Sequence, residues 1–159
     1  MARLQLSTPG DREISIKRQF EAPRSLVWDC HTKPELVRRW LAGPPGWRMD
    51  VCEIDLKVGG KYRYVLRGPN DAEMGFGGAY REIVRPQRVV TAERFDQDWT
   101  GGETINTLVL TETGGTTTLV QTMLYSSKEA RDGALKTPMA DGMEAGYILL
   151  EAVLASRAI

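Results

Sequence analysis

The fold class follows from the closing segment, residues 126–159, which reads SSKEARDGALKTPMADGMEAGYILLEAVLASRAI. Its large apolar side chains recur every three or four residues, which is the spacing of one face of an α-helix. Ser126 or Ser127 can cap the start of this helix, and Pro138 should kink or restart it because proline lacks a backbone donor. The predicted apolar stripe consists of Met139, Met143, Tyr147, Leu150 and Leu154.

Upstream of this segment, the sequence has the patterning of an antiparallel sheet. Residues 13–21 alternate between apolar and polar side chains, and Pro23 and Pro34 then open two short helices. The order of one strand, two helices, six strands and a long helix predicts an α+β fold in which about seven antiparallel strands cover the helix. The six later strands are expected near 47–56, 60–67, 75–85, 88–96, 103–112 and 116–125.

Turn length determines which residues face each other across the strands at 75–85 and 88–96. If Pro86-Gln87 is a two-residue turn, Tyr80 lies opposite Glu93, Gly78 opposite Phe95 and Glu82 opposite Thr91. We expect the face with these aromatic residues to be turned toward the helix. Its members would be Phe76, Tyr80, Phe95, Glu82 and Glu93.

Length and charge exclude several classes of protein. A chain of 159 residues fits one domain, residues 1–159, with a polar leader at 1–12 that we expect to be flexible. Lys plus Arg equals Asp plus Glu, at 21 each, so nucleic acid is not an expected partner. No apolar run reaches about eighteen residues and no export signal is visible, so we expect no membrane insertion and a cytoplasmic location.

The residues that most often bind metals or cofactors lack the spacing for it. Cys30 and Cys52 are predicted to be buried, reduced thiols, and His31 at a helix end is predicted to be solvated. The Gly75-Phe76-Gly77-Gly78 run lies inside a strand pattern, where glycine marks a bulge or a close backbone approach rather than a phosphate loop. Arg131-Asp132 is expected to form a local ion pair. We therefore predict no metal and no cofactor.

Several short motifs occur together in a characteristic order. They are Arg18-x-Phe20-x-Ala22-Pro23, Val27-Trp28, Pro34-Glu35, Trp40 before Gly43-Pro44, Gly59-Gly60-x-Tyr62, Gly78-x-Tyr80-x-Glu82-Ile83, Thr91-x-Glu93-Arg94-Phe95-Asp96 and Tyr125-x-Ser127-Lys128-Glu129-Ala130-Arg131-Asp132.

In this order the motifs resemble the START-like or SRPBCC superfamily, and within it the bacterial homologues of the activator of the heat-shock-protein ATPase, from Ile14 to Ser156. The resemblance implies the helix-grip (Bet v-type) fold, in which a curved antiparallel sheet wraps around the long C-terminal helix with a hydrophobic cavity between them. Pro138 departs from the family pattern, where glycine is usual. Trp40-Leu41 also departs from it, since two aromatic residues are common there.

The apolar stripe and the resemblance together predict a ligand-binding cavity, although such residues can also pack simply as core. The leading interpretation is binding of an apolar or amphipathic small molecule, with Glu93, Tyr62 or Tyr80 orienting it and no chemistry required. The candidate lining residues are Trp40, Tyr62, Tyr64, Phe76, Tyr80, Glu93, Phe95, Met123, Met139, Met143 and Tyr147.

Two other functions stay open at this stage. Relatives in the superfamily include polyketide cyclases and dehydratases, in which case Glu82 and Glu93 are the candidate general acid and base. The structural alternative pairs these carboxylates with Arg18, Arg63 or Arg94, or with a tyrosine hydroxyl. The family name also suggests a co-chaperone that stimulates a heat-shock ATPase, and a homodimer is a further alternative.

Overall fold

The computed structural model describes residues 3–43, 45–97 and 101–157. Pro44 of the Gly43-Pro44 motif, the first two residues of the leader and the last two of the predicted helix lie outside these ranges. The strands are β1 Gln5–Ser7, β2 Glu13–Phe20, β3 Arg48–Ile54, β4 Lys61–Arg67, β5 Glu73–Val84, β6 Arg88–Phe95, β7 Thr104–Thr113 and β8 Thr116–Leu124. The helices are α1 Arg24–Thr32, α2 Pro34–Trp40, α3 Lys128–Leu135 and α4 Met139–Arg157.

The strands form one antiparallel sheet in the order β1-β2-β8-β7-β6-β5-β4-β3. The sequence order of elements and the α+β class are confirmed, with one strand more than predicted. The additional strand, β1, lies in the predicted polar leader, where Leu6 is paired with Ile16 of β2. Leu4 beside it packs on the core. An alternating pattern of only three residues is too short to be recognised as a strand in the sequence.

The closing helix is interrupted at Pro138, as the sequence predicts. The Ser127 side chain accepts a hydrogen bond from the Ala130 amide at 3.0 Å and so caps α3. α3 ends at Leu135, and α4 begins at Met139, directly after Pro138. Proline is favoured at the start of a helix, because its missing backbone donor is not needed there. The buried residues of α4 are Glu144, Tyr147, Leu150, Val153 and Leu154, with Met139 and Met143 partly buried against the core.

The predicted register between β5 and β6 is wrong. The loop has three residues, 85–87, rather than two, and it places Glu93 opposite Gly78 and Thr91 opposite Tyr80. This shift of two positions leaves the aromatic residues and Glu93 on the face that we predicted, because side chains alternate with a period of two. A β-bulge between Tyr80 and Glu82 then turns Glu82 to the opposite face.

A buried ion cluster attaches α4 to the sheet. The Arg18 side chain on β2 has no solvent exposure, and it donates from Nε and Nη2 to the two carboxylate oxygens of Glu144 at 3.0 and 2.9 Å. Its Nη1 donates to Glu151 at 2.9 Å, and the Leu4 amide donates to Glu144 at 2.9 Å. This cluster fixes the position of α4 relative to β1 and β2. The sequence had offered Arg18 as a partner for Glu82 or Glu93, which is wrong.

Candidate functional site

The core is packed unequally along the sheet. Four side chains at the β2, β8 and α4 side have no accessible surface: Ile14, Ile16, Leu119 and Leu150. Three others on β3, β4 and β5 retain 8–9% of theirs: Met49, Tyr64 and Phe76. An interior side chain keeps accessible area only where open space adjoins it, because protein interiors are otherwise close-packed. The inner face over β3–β6 therefore borders open space.

Five rings line this part of the inner face, and we call them the aromatic group. Their centroids are 5.2 Å apart for Tyr62 and Tyr64, 5.3 Å for Tyr62 and Tyr80, 5.4 Å for Tyr64 and Phe76, and 4.9 Å for Phe76 and Phe95. They lie together because alternate residues of β4, β5 and β6 point to one face of the sheet. All five were predicted from the sequence as lining residues.

A glycine lets this group reach the carboxylate of Glu93. Tyr62, Gly78 and Glu93 lie side by side on β4, β5 and β6. A Cβ atom at Gly78 would lie 2.9 Å from the Tyr62 hydroxyl and would collide with the Ala92 carbonyl oxygen. The missing side chain thus leaves room for the Tyr62 side chain to extend across β5. The predicted close backbone approach in the glycine run is confirmed.

Glu93 forms a polar centre with three neutral neighbours, Tyr62, Thr91 and Asn106. The Tyr62 hydroxyl donates to Glu93 Oε2 at 2.7 Å and lies 3.5 Å from Thr91 Oγ1, and the Asn106 side chain also bonds the carboxylate. Burial raises the pKa of Glu93, and the hydrogen bonds from Tyr62 and Asn106 act in the opposite direction. No Lys, Arg or His of the described chain lies within ion-pair distance of it. We call this set the Glu93 centre.

The two predicted carboxylates have different environments. Glu93 faces the core and is hydrogen-bonded to the Tyr62 hydroxyl. A tyrosine hydroxyl was one of the structural partners predicted for these carboxylates. Glu82 accepts a hydrogen bond from Arg88 Nε at 3.0 Å on the outer face, where its side chain is 46% exposed. The two carboxylates therefore lie on opposite faces of the sheet and do not share one site. Arg63, another predicted partner, is paired instead with Asp96.

Asn106 belongs to the site and was missed in the sequence. It lies on β7 opposite Thr91 of β6 and Met123 of β8, and its Oδ1 atom is enclosed without a hydrogen-bond partner. The same face of β7 carries Leu108 and Leu110. A polar residue within an alternating apolar series was the available signal, because a buried amide is rare unless it has a role.

The remaining predicted lining residues lie on α2 and α4, except for Met123, which lies on β8. The Trp40 and Tyr147 rings stack at 6.1 Å, and Trp40 Nε1 donates to the Cys30 carbonyl oxygen at 2.7 Å. Met123 on β8 accepts a weak hydrogen bond from the Tyr125 hydroxyl at 3.9 Å. Every apolar residue predicted for the site belongs to one contiguous core or packs directly against it.

An open concavity of about 240 Å³ adjoins the aromatic group. Phe95 belongs to both, because its ring stacks on Phe76. This volume is smaller than the roughly 300–1,000 Å³ of pockets that enclose drug-sized ligands. Trp47 and Gln97 were not predicted. The residues that line it are Trp47, Glu73, Met74, Gly75, Phe95 and Gln97.

Three minor sequence predictions have clear outcomes. Cys30 and Cys52 are free and buried, as predicted, and burial raises the pKa of the Cys30 thiol to about 11. Arg131 donates to Asp132 at 2.9 Å, as predicted. His31 is half-buried rather than solvated: its Nδ1 lies 2.8 Å from the Val27 carbonyl oxygen, and burial lowers its pKa.

The described ranges contain neither a metal-binding cluster nor a membrane-spanning helix. No three His, Cys, Asp or Glu side chains in residues 3–43, 45–97 and 101–157 are grouped so that they could hold a metal ion. None of the helices in that part of the chain is long and apolar enough to cross a membrane.

A long helix on an eight-stranded antiparallel sheet, with an aromatic inner face, defines a START-like protein. Within that class, the chain belongs to the family described as "Activator of Hsp90 ATPase homolog 1-like protein", whose sequence model matches residues 21–155. The family that the motifs indicated is thereby confirmed. No curated protein matches the sequence at a significant level.

Solved structures agree with this assignment. A protein from Rhodobacter sphaeroides is 32% identical, with a TM-score of 0.91 over 97% of this chain and 99% of that one. A protein from Arthrobacter aurescens is 24% identical, with a TM-score of 0.83 over 97% and 92% of the two chains. An AHSA1-like protein from Aeromonas hydrophila is 20% identical, with a TM-score of 0.72 over 89% and 93%. The last two show a shared fold alone.

Proposed function

We propose that the protein binds an apolar or amphipathic small molecule between α4 and the sheet, with the polar part of the ligand at the Glu93 centre. The single observation that carries this proposal is the environment of Glu93. Its carboxylate lies among aromatic rings on the inner face, has neutral hydrogen-bond partners in the part of the chain that the structure describes, and adjoins side chains that retain accessible area.

Glu144, another carboxylate that faces inward, differs from Glu93 in having a cation partner. Glu144 is compensated by a bidentate Arg18 and by a backbone amide, so its burial serves the attachment of α4. Glu93 has no cation partner among the described residues, and a carboxylate removed from water without one destabilises the fold. The stability of the fold therefore does not explain the position of Glu93, whereas a role in ligand binding does.

The neutral dye Nile red tests binding, because its fluorescence rises in apolar surroundings. We expect the wild-type protein to bind the dye, and a Met123→Trp variant that fills the inner face to bind it less. Ile148→Trp is the matched control, since Ile148 lies on α4 with 52% exposure and faces away from the site. Circular dichroism establishes that both variants fold. Equal dye binding by the wild type and a folded Met123→Trp protein contradicts the proposal.

Native mass spectrometry of the freshly purified protein addresses the natural ligand. A mass above that of the 17.7 kDa chain, lost on unfolding, supports a bound molecule and allows its identification. The Met123→Trp variant is the control here too, because a molecule held on the inner face should be depleted from it.

A second function, proton-transfer catalysis of the cyclase or dehydratase type, is favoured by one feature. The Glu93 carboxyl combines a raised pKa with a hydrogen bond from Tyr62 in an apolar setting, which suits a general acid or base. Glu93→Gln should then abolish turnover of a true substrate. In a protein that only binds the same molecule, the variant retains a measurable affinity.

Stimulation of a chaperone stays a prediction from the family description, which names the Hsp90 ATPase. An ATPase assay with the cognate heat-shock protein tests it directly. Absence of stimulation at high molar excess would remove this function from consideration.

A further inference from the structure

The Glu93 centre has more hydrogen-bond acceptors than donors. The Tyr62 hydroxyl and the Asn106 side chain already bond the carboxylate, and a carboxylate has room for about four hydrogen bonds. Asn106 Oδ1 beside it is enclosed and has no partner. A molecule that complements this centre must therefore bring hydrogen-bond donors rather than acceptors.

When Glu93 is ionised, its charge also lacks a compensating cation in the described part of the chain. The titratable side chains that interact electrostatically with Glu93 are Tyr62 and Tyr64 on β4 and Tyr125 beyond the end of β8, and burial raises the pKa of each. All three are neutral at physiological pH, and no basic residue of the described chain pairs with Glu93. A cation is the group that the centre lacks.

The surrounding rings favour a cation over a neutral donor. Tyr62, Tyr64 and Tyr80 lie with centroids 5.2 and 5.3 Å apart on the same face as Glu93. Aromatic faces attract ammonium groups, and the attraction is stronger where water is excluded. A hydroxyl group gains neither this attraction nor the attraction of the carboxylate charge.

We infer that the ligand is an apolar primary or secondary amine, bound as the ammonium, with its N–H groups on Glu93 and its apolar part among the rings of the aromatic group. This inference rests on the proposed function and narrows it to one ligand class.

Because the pKa of Glu93 is raised, binding of an amine should also change the protonation of its carboxyl group. In the free protein, burial favours the protonated carboxyl, whereas a bound ammonium favours the carboxylate. Binding of an amine should therefore release a proton from Glu93 in the pH range between the ordinary and the raised pKa. An alcohol with the same tail should release none. Titrations in two buffers with different ionisation enthalpies measure this proton.

Isothermal titration at pH 7 with octylamine, 1-octanol and octanoate separates the possible head groups. We expect octylamine to bind about tenfold more tightly than octanol, and octanoate to bind most weakly. Glu93→Gln should reduce the octylamine affinity by about tenfold and change the octanol affinity by no more than about threefold. Asn106→Leu should also weaken octylamine binding.

Glu82→Gln is the matched control. It neutralises a carboxylate on the outer face of the same sheet, where Glu82 pairs with Arg88, and it should leave all three affinities unchanged. The inference is overturned if octanol or octanoate binds as tightly as octylamine, or if Glu93→Gln affects octanol and octylamine equally. If Nile red also fails to bind, the proposed function fails too, whereas dye binding with no preference for the amine overturns the ligand class alone.

Discussion

Tyr62 and Tyr64 differ at the residue scale although they lie two positions apart on β4 and point to the same face. The Tyr62 hydroxyl donates to Glu93 at 2.7 Å, whereas the Tyr64 hydroxyl has no hydrogen-bond partner in the described part of the chain. Both rings are almost fully buried and both pack against neighbouring rings. The pair therefore separates the contribution of a hydroxyl from that of a ring.

Tyr62→Phe should lower the free energy of unfolding by about 1–2 kcal/mol, because a partly buried carboxylate loses one of its donors. Tyr64→Phe should change the free energy of unfolding by less than about 0.5 kcal/mol, since it removes no described hydrogen bond. Urea unfolding at pH 7 measures both. Equal effects of the two substitutions would mean that the Tyr62–Glu93 bond contributes nothing to stability.

The Glu93 carboxyl predicts a pH dependence with a definite sign. Because burial raises its pKa in the folded protein, the folded state holds the proton more tightly than the unfolded chain does. Its contribution to stability is thus complete below the unfolded pKa, about 4.3, and is lost as the pH rises through the raised pKa. As the pH rises from 4 to 8, the melting temperature of Glu93→Gln should therefore increase relative to that of the wild type. A difference in melting temperature that is constant across this range contradicts the prediction.

At the scale of elements, β2 and α4 are joined by the cluster of Arg18 with Glu144 and Glu151. Burial acts to raise the pKa of Glu144, but the hydrogen bonds from Arg18 and the Leu4 amide outweigh it and hold the pKa below its ordinary value. This contribution to stability is present above the unfolded pKa of about 4.3 and is lost as the pH falls through the lowered pKa. Attachment of the helix should therefore weaken in acid.

Arg18→Met should destabilise the protein by about 3–5 kcal/mol, because it leaves the Glu144 carboxylate buried without its cation. The double variant Arg18→Met with Glu144→Met should be more stable than Arg18→Met alone, since no unpaired charge remains at either position. Urea unfolding of the four proteins in this cycle gives the coupling. Arg3→Met is the control, as Arg3 pairs with Asp141 of the same helix but both side chains are mostly exposed. A double variant that is less stable than the single one would show that the pair itself stabilises the fold.

The elements could be predicted from the sequence, but their pairing could not. Hydrophobic periodicity and turn residues are local signals, so they gave seven of the eight strands and the break at Pro138. Register depends on loop length and on bulges, and the bulge before Glu82 turned that carboxylate outward. The Arg18–Glu144 contact joins residues 126 positions apart, which no local pattern encodes. Asn106 was missed because its role appears only when β7 lies beside β6.

For the whole molecule, the unequal packing of the core links stability to the candidate site. The part around β2 and Leu119 of β8 is closed, while the inner face over β3–β6 and Met123 near the end of β8 retain accessible area. Substitution in a closed region leaves a cavity whose lining loses contacts. At the border of existing space, the same truncation removes fewer contacts. Under the proposed function, stability and ligand binding should thus depend on different parts of one core.

Two residues on the same strand and face test this division. Leu119 of β8 has 0% exposure and Met123, four residues further along, has 7%. Both truncations to alanine fall in a range of about 2–5 kcal/mol, and we expect Leu119→Ala to lie near the upper end and Met123→Ala near the lower end. Urea unfolding measures the two values, and Nile red titration should show altered dye binding for Met123→Ala only. Equal losses of stability, with unchanged dye binding in both variants, would mean that the core is packed uniformly and that the inner face holds no ligand.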